Sequence, residues 1–267
     1  MSQRFVRTPA VAGLFYPADA ALLAASITNM LSVAAEQAGQ RPKVLVVPHA
    51  GYRYSGPIAA SAYRCLQPWA DQFQRVVLLG PVHRVAVRGL ALPGCDAFQT
   101  PLGEVPVDAE WVARVMRLPQ VTISPAAHAH EHSLEVQLPF LQAVLPTFSL
   151  LPLAVGNASA AEVSEVLECV WGGPETLLLI STDLSHYLPY LAAKTLDRQT
   201  CDAILQCDLA IDHEQACGAT PLRGMLMSAR QHQLQARLLD LRNSGDTAGS
   251  KDKVVGYAAF RFSEPGQ

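Results

Sequence analysis

The sequence predicts an α/β fold: one domain over residues 1–267, with a central mixed, mostly parallel sheet flanked by helices. Two observations carry that expectation. Wholly apolar runs at residues 44–47, 76–79 and 177–180 are bounded by Pro, Gly or Ser, as strands covered on both faces are. Between them lie longer stretches with apolar residues at helical spacing, and strands alternating with helices build a parallel sheet. The 267 residues suffice for a well-buried core, and no repeat, low-complexity tract or linker divides them.

The elements follow in order. Residues 8–17 contain Pro9 and Pro17, have no period and read as a packed irregular arm. A helix is expected over 19–37, with Asp19 as N-cap and Leu22, Leu23, Ile27, Leu31 and Val33 apolar. Strand 44–47 ends at Pro48, and a helix over 57–66 takes Pro57 in its first turn. A strand from 75 to 80, a short one over 89–92, and a helix over 108–116 come next. Residues 121–133 show no period, and 133–144 read as a helix with Pro139 as a kink or an early-turn residue. Then come strand 149–155, helix 160–170, strand 177–180, and helices over 192–207 and 220–231. The runs 236–241 and 253–262 have no helix between them, so an antiparallel pair should make the sheet mixed at one edge.

Half of the residues are apolar and 16% are charged, a globular composition. A net charge of −3 gives no electrostatic case for nucleic acid. No apolar run approaches the roughly 20 residues of a membrane span. Residues 1–5 lack the apolar core of a secretory signal. Six scattered cysteines without a CxxC suit reduced thiols, so a cytoplasmic protein is expected, with no nucleic-acid or membrane partner.

An open α/β sheet holds its ligands outside the carboxyl ends of its strands. Two such ends deliver an imidazole each, His49 after Pro48 and His83 after Gly80-Pro81. Either alone reads equally as a hydrogen-bonded loop residue, but two at consecutive strand tips begin a metal site. A third tip, Ser181-Thr182-Asp183-Leu184-Ser185-His186-Tyr187, offers His186 as a general acid/base with Asp183 to orient it. Its plain alternative is a turn whose Asp caps the next helix. Ser181 and Ser185 lie in no Gly-x-Ser-x-Gly elbow, which weakens either as a nucleophile. His128, His130 and His132 form the densest histidine patch; the first two read as surface residues, and His132, which would share a helical face with Glu135, is the candidate kept. Cys217 precedes a helix, where exposed amides favour a thiolate; otherwise it is a small buried hydrophobe.

Seven segments in order, at 9–17, 48–56, 79–83, 131–140, 181–187, 216–218 and 254–259, closely resemble the MEMO family, in prokaryotes also called AmmeMemoRadiSam system protein B. The resemblance spans nearly the whole chain and implies a fold like that of the class III extradiol dioxygenases. In those enzymes two histidines and a carboxylate hold a non-haem iron, and a further histidine is the acid/base. Carried across by motif, the metal ligands fall on His49, His83 and Cys217 and the acid/base on His186, while His132 lines the same cleft. The third ligand is thus a thiolate where the dioxygenases have a carboxylate, so ring cleavage is not carried over. The softer set suits iron or copper, with zinc as a further candidate.

Three expectations result. One is a redox protein with a mononuclear Fe(II) or copper ion and His186 moving protons. Another is a non-catalytic cleft that holds a metal, small molecule or peptide, with radical-SAM and AMME-type proteins as partners. The third is zinc-assisted hydrolysis with Glu135, Asp183 or His186 as base.

Overall fold

The chain enters through strand β1 (Val6–Arg7) and the irregular arm, where Val11 and Tyr16 are buried. The computed structural model describes residues 4–35 and 39–266. Helix α1 (Ala20–Val33) starts where expected, because the Asp19 carboxylate accepts from Leu22 N–H. Residues 36 and 37 of the predicted helix lie outside the described residues. Strand β2 (Pro42–Val47) leads into α2 (Tyr52–Tyr63), which begins five residues earlier than the sequence suggested. Pro57 therefore sits inside this helix rather than in its first turn. The Gly51 carbonyl starts the ladder by accepting from Tyr54 and Ser55, so the turn that carries His49 runs straight into a helix.

A 3-10 stretch (Arg64–Gln72) and strand β3 (Arg75–Pro81) follow. Next come β4 (Leu90–Leu92), β5 (Ala97–Thr100), β6 (Gly103–Pro106) and α3 (Ala109–Val115). The stretch read as aperiodic holds β7 (Val121–Ile123) and α4 (Pro125–Ala129). The helix expected over 133–144 is a 3-10 turn (Glu135–Gln137) followed by α5 (Leu138–Val144), with Pro139 in its first turn. Then come β8 (Ser149–Val155), α6 (Ala160–Cys169) with a Ser159/Glu162 capping box, and β9 (Thr176–Ser181). The chain closes with β10 (His186–Leu188), α7 (Tyr190–Leu205), α8 (Ala219–Gln231), β11 (Gln235–Asn243), α9 (Ser244–Thr247) and β12 (Val254–Ser263).

The main sheet runs β10-β12-β2-β9-β3-β8-β4-β7, with β11 along the other side of β12. The central strands β2, β9, β3 and β8 are parallel. The predicted antiparallel pair is β11 with β12, and β12 also runs antiparallel to β2. The sheet is mixed at the opposite end as well, where β4 lies antiparallel to β8, against the expectation of a single mixed edge. A small sheet, β1-β5-β6, ties the arm to the body. Its strands are too short to carry a period.

β2 reads as an unbroken apolar run because both of its faces are covered. Leu45 and Val47 enter a cluster with Ile27, Ile58 and Phe140, while Val44 and Val46 enter another with Val163, Leu167 and Leu222. Burying each such side chain contributes about 1.5–3 kcal/mol. No helix among the described residues is long and apolar enough to cross a membrane.

The arm is fixed by a buried carboxylate. Glu135 accepts from Ala10 N–H at 2.8 Å, Val11 N–H at 2.9 Å, the Tyr16 hydroxyl at 2.7 Å and Arg7 Nη1 at 2.8 Å. Arg7 spends its other donors on the carbonyls of His128 and Glu131. Glu135, which the sequence offered as a base, is thus a structural anchor with all its bonding capacity taken.

Candidate metal centre

Because β2 and β3 flank β9 in parallel, their carboxyl ends open on the same side of the sheet as Ser181 at the end of β9. Two residues beyond β2 and β3 stand His49 and His83, and the segment before the 3-10 turn brings in His132. The ring centroids are 5.3 Å apart for His49 and His83, 5.4 Å for His49 and His132, and 4.7 Å for His83 and His132. One nitrogen from each ring lies within 4.8 Å of the other two, an arrangement that could hold a metal ion.

Hydrogen bonds fix the tautomers. The Ser181 hydroxyl donates to the Ser133 carbonyl at 2.6 Å and accepts from Gln137 Nε2 at 2.8 Å. Its one proton is used, so the 2.9 Å contact to His49 Nδ1 requires the imidazole to donate. That puts the His49 lone pair on Nε2, facing the Cys217 sulfur. His83 Nδ1 lies 2.9 Å from Glu131 Oε1, and a carboxylate only accepts, so His83 likewise keeps its Nε2 lone pair. Glu131 also accepts from the backbone amides of His83 at 2.6 Å and of His132 and Ser133, each at 2.9 Å. This is the arrangement by which a carboxylate orients metal-binding imidazoles.

The electrostatics favour neutral rings at His49 and His132. Burial, with smaller contributions from the neighbouring imidazoles, pushes His49 well below its usual value. Burial also takes His132 down to about 4 against the pull of Glu131. Burial by itself would raise Glu131, but the hydrogen bond and charge of His83 and the surrounding amides outweigh it and hold the carboxyl at about 2. Neutral rings at His49 and His132, with His83 oriented by a carboxylate, are a donor set that fits a transition metal.

Cys217 lies beside this set. Its Sγ is 3.3 Å from His49 Nε2 and receives Asp183 N–H at 3.3 Å, yet it stays outside the three-histidine cluster. Burial, helped by the Asp183 charge, pushes the thiol up to about 12. The expected gain in thiolate from the start of α8 is therefore overcome, and without a coordinated cation the group is a thiol.

Asp183 does not orient His186. Its Oδ1 accepts from His49 N–H at 2.7 Å, so it sets the β2 turn. Burial raises it to about 7 against the amides of His49 and Ala50. His186 is instead held by the Leu184 carbonyl at 2.8 Å, which makes Nδ1 the donor and leaves Nε2 as the basic atom. Burial lowers its pKa, so the ring is neutral. The pairing with β12 is irregular between His186 and Leu188, with Tyr187 at φ 59°.

The structure therefore brings His49, His83, His132, Cys217 and Asp183 together, with His186 within electrostatic reach of His49 and His83. His128 is buried and bonded to the Ala91 carbonyl rather than exposed. Sequence reasoning gave no role to Glu131 and treated Ser181 only as a nucleophile. A lone acidic residue between His130 and His132 was the available signal for the first.

A profile of the Memo-like protein family matches residues 7–261. A relative named MEMO1 family protein from Aquifex aeolicus is 34% identical over 270 residues, covering 96% of this chain and 99% of its own. One from Ignicoccus hospitalis is 36% identical over 292 aligned positions, covering 97% and 99%. Among solved structures, the uncharacterized protein JW3007 from Escherichia coli K12 superimposes with a TM-score of 0.56 at 15% identity, over 82% of this chain and 99% of its own. At that identity the likeness shows the fold alone.

Proposed function

The chain belongs to the Memo-like family, and from that premise we propose that it carries a mononuclear metal centre on His49, His83 and His132, with Cys217 as a fourth donor. The observation behind this reading is the convergence of imidazoles whose outer nitrogens are already committed to Ser181 and Glu131. Iron or copper is the first assignment, on the family resemblance; the thiol 3.3 Å from His49 Nε2 is a soft donor that suits copper, iron or zinc. When bound, such an ion supplies a Lewis-acidic, redox-active centre with positions left for a ligand. His186 accepts or returns a proton at Nε2, and Asp183 keeps the His49 turn in place. Glu131, the carboxylate on the His83 ring, is fully engaged with His83 and backbone amides, and Asp183 holds the His49 amide, so ring cleavage of the dioxygenase kind is not part of the proposal.

A second reading is zinc-assisted hydrolysis. Three imidazoles are a common catalytic zinc set, and Asp183, raised to about 7 with Oδ2 at 4.0 Å from His49 Nε2, would serve as the base. A third role, a non-catalytic metal or peptide cleft for radical-SAM and AMME-type partners, rests on the family resemblance.

Metal analysis of anaerobically purified protein, with His49→Ala, His132→Ala and Cys217→Ala, separates these readings. About one iron or copper per chain, lost in both histidine variants, supports the first. Zinc at that stoichiometry, with ester or amide cleavage, supports the second. A wild type that takes up no metal after anaerobic reloading ends both.

A further inference from the structure

Beside His83 and Cys217 opens a cavity of about 530 Å³. The loop after β3 forms one wall with Val82, Val85 and Val87, and Val155 and Pro221 add further apolar surface. Among the described residues that line it there is no Asp or Glu, while Arg84 sits on the rim, exposed. The guanidinium lies close enough to the cluster for its charge to act on His132. The start of α8 adds to the same bias: it has neither a side-chain cap nor an acidic residue in its first turn, and Thr220 and Pro221 from that turn line the cavity. A positive rim on a pocket that mixes polar groups with valine and proline surface suits a small ligand with one anionic end.

We propose that this cavity receives the ligand of the metal centre, and that the ligand is a small monoanionic carboxylate with an apolar body whose carboxylate pairs with Arg84. Placement at the metal rests on the metal-centre reading; the pairing with Arg84 does not. A planar guanidinium fork matches a carboxylate bidentately. One guanidinium on the cavity balances one negative charge, and the lining residues supply no second Arg or Lys for a dianion. The valine walls favour a hydrocarbon body over a heavily hydroxylated one.

The test is fluorine NMR of the full-length protein loaded with Co(II), with 4-fluorobenzoate, 4-fluorobenzyl alcohol and 4-fluorophenyl phosphate as probes. Benzoate should bind with a Kd of about 1 mM or below, about tenfold or more tighter than the alcohol. Arg84→Ala should weaken benzoate about tenfold and leave the alcohol unchanged, and Arg84→Lys should recover part of the loss. Arg88→Ala, on the neighbouring groove, should change nothing. Equal affinity for benzoate and alcohol, insensitivity to Arg84→Ala, or no benzoate binding up to about 10 mM would overturn the proposal. Tighter binding of the phosphate would overturn the carboxylate assignment. Cobalt broadening of the bound fluorine signal, abolished in His49→Ala, would support placement at the cluster. Binding that depends on Arg84 without broadening, in protein shown to hold cobalt, would keep the carboxylate subsite and overturn its placement at the metal.

Discussion

Two buried carboxylates four residues apart, Glu131 and Glu135, each accept four hydrogen bonds and do opposite work. Glu135 closes on Arg7, two arm amides and the Tyr16 hydroxyl, so its charge is met by a fixed cation. Glu131 closes on the His83 ring and three amides, so its charge is met by groups with no permanent charge of their own. A structural carboxylate is neutralised within the fold; a carboxylate behind a ligand site leaves its charge for the ligands to use. The contrast separates stability from function within one short segment.

The largest expected effect belongs to the structural member. Glu135→Ala leaves Arg7 buried without its partner and should cost about 3–5 kcal/mol in denaturant unfolding, with metal stoichiometry unchanged in the protein that remains folded. Equal loss of metal from the folded fraction would erase the distinction. Glu131→Gln should do the reverse, with metal affinity falling about 10–100-fold by competition titration and a smaller loss of stability. Ser181→Ala releases the His49 tautomer and should weaken metal binding about tenfold in the same titration. It also leaves Gln137 Nε2 without one of its two acceptors.

The smallest effect at neutral pH belongs to His128, whose carbonyl accepts from Arg7 on the Glu135 side. Burial, opposed by the Ala91 carbonyl, takes its ring from the usual 6.5 down to about 4. The unfolded chain therefore binds the proton first as pH falls. The stabilisation is whole above about 6.5 and is lost progressively toward about 4. Unfolding titrations of wild type against His128→Gln should converge in slope above that window and diverge within it; parallel curves would reject the assignment.

His49 and His83 were legible in the sequence because a Pro-terminated apolar run announces both a strand and its tip. The strands of the central sheet were legible for the same reason, since burial on both faces leaves an uninterrupted apolar signature. The weight on Cys217 as a ligand came from resemblance, and its place beside rather than within the histidine cluster depends on burial that no spacing encodes. Asp183 was paired with His186 by proximity in sequence, but the strand geometry turns it to the His49 amide. Glu131 looked like one polar residue in a polar loop, because its partners come from β3 and from its own backbone. The early start of α2 was hidden by Pro57, a residue that more often opens a helix than sits inside one.

The place of β2 has a consequence for how the protein is made. Its sheet neighbours β9 (Thr176–Ser181) and β12 (Val254–Ser263) both follow it far along the chain. During translation the Val44–Val47 run leaves the ribosome long before either partner exists to pair with it. Such an unpaired apolar strand is an aggregation hazard in a nascent chain. Pairing of β2 must wait until both of these strands have left the ribosome, so over that interval the run is covered only by local collapse or by a chaperone.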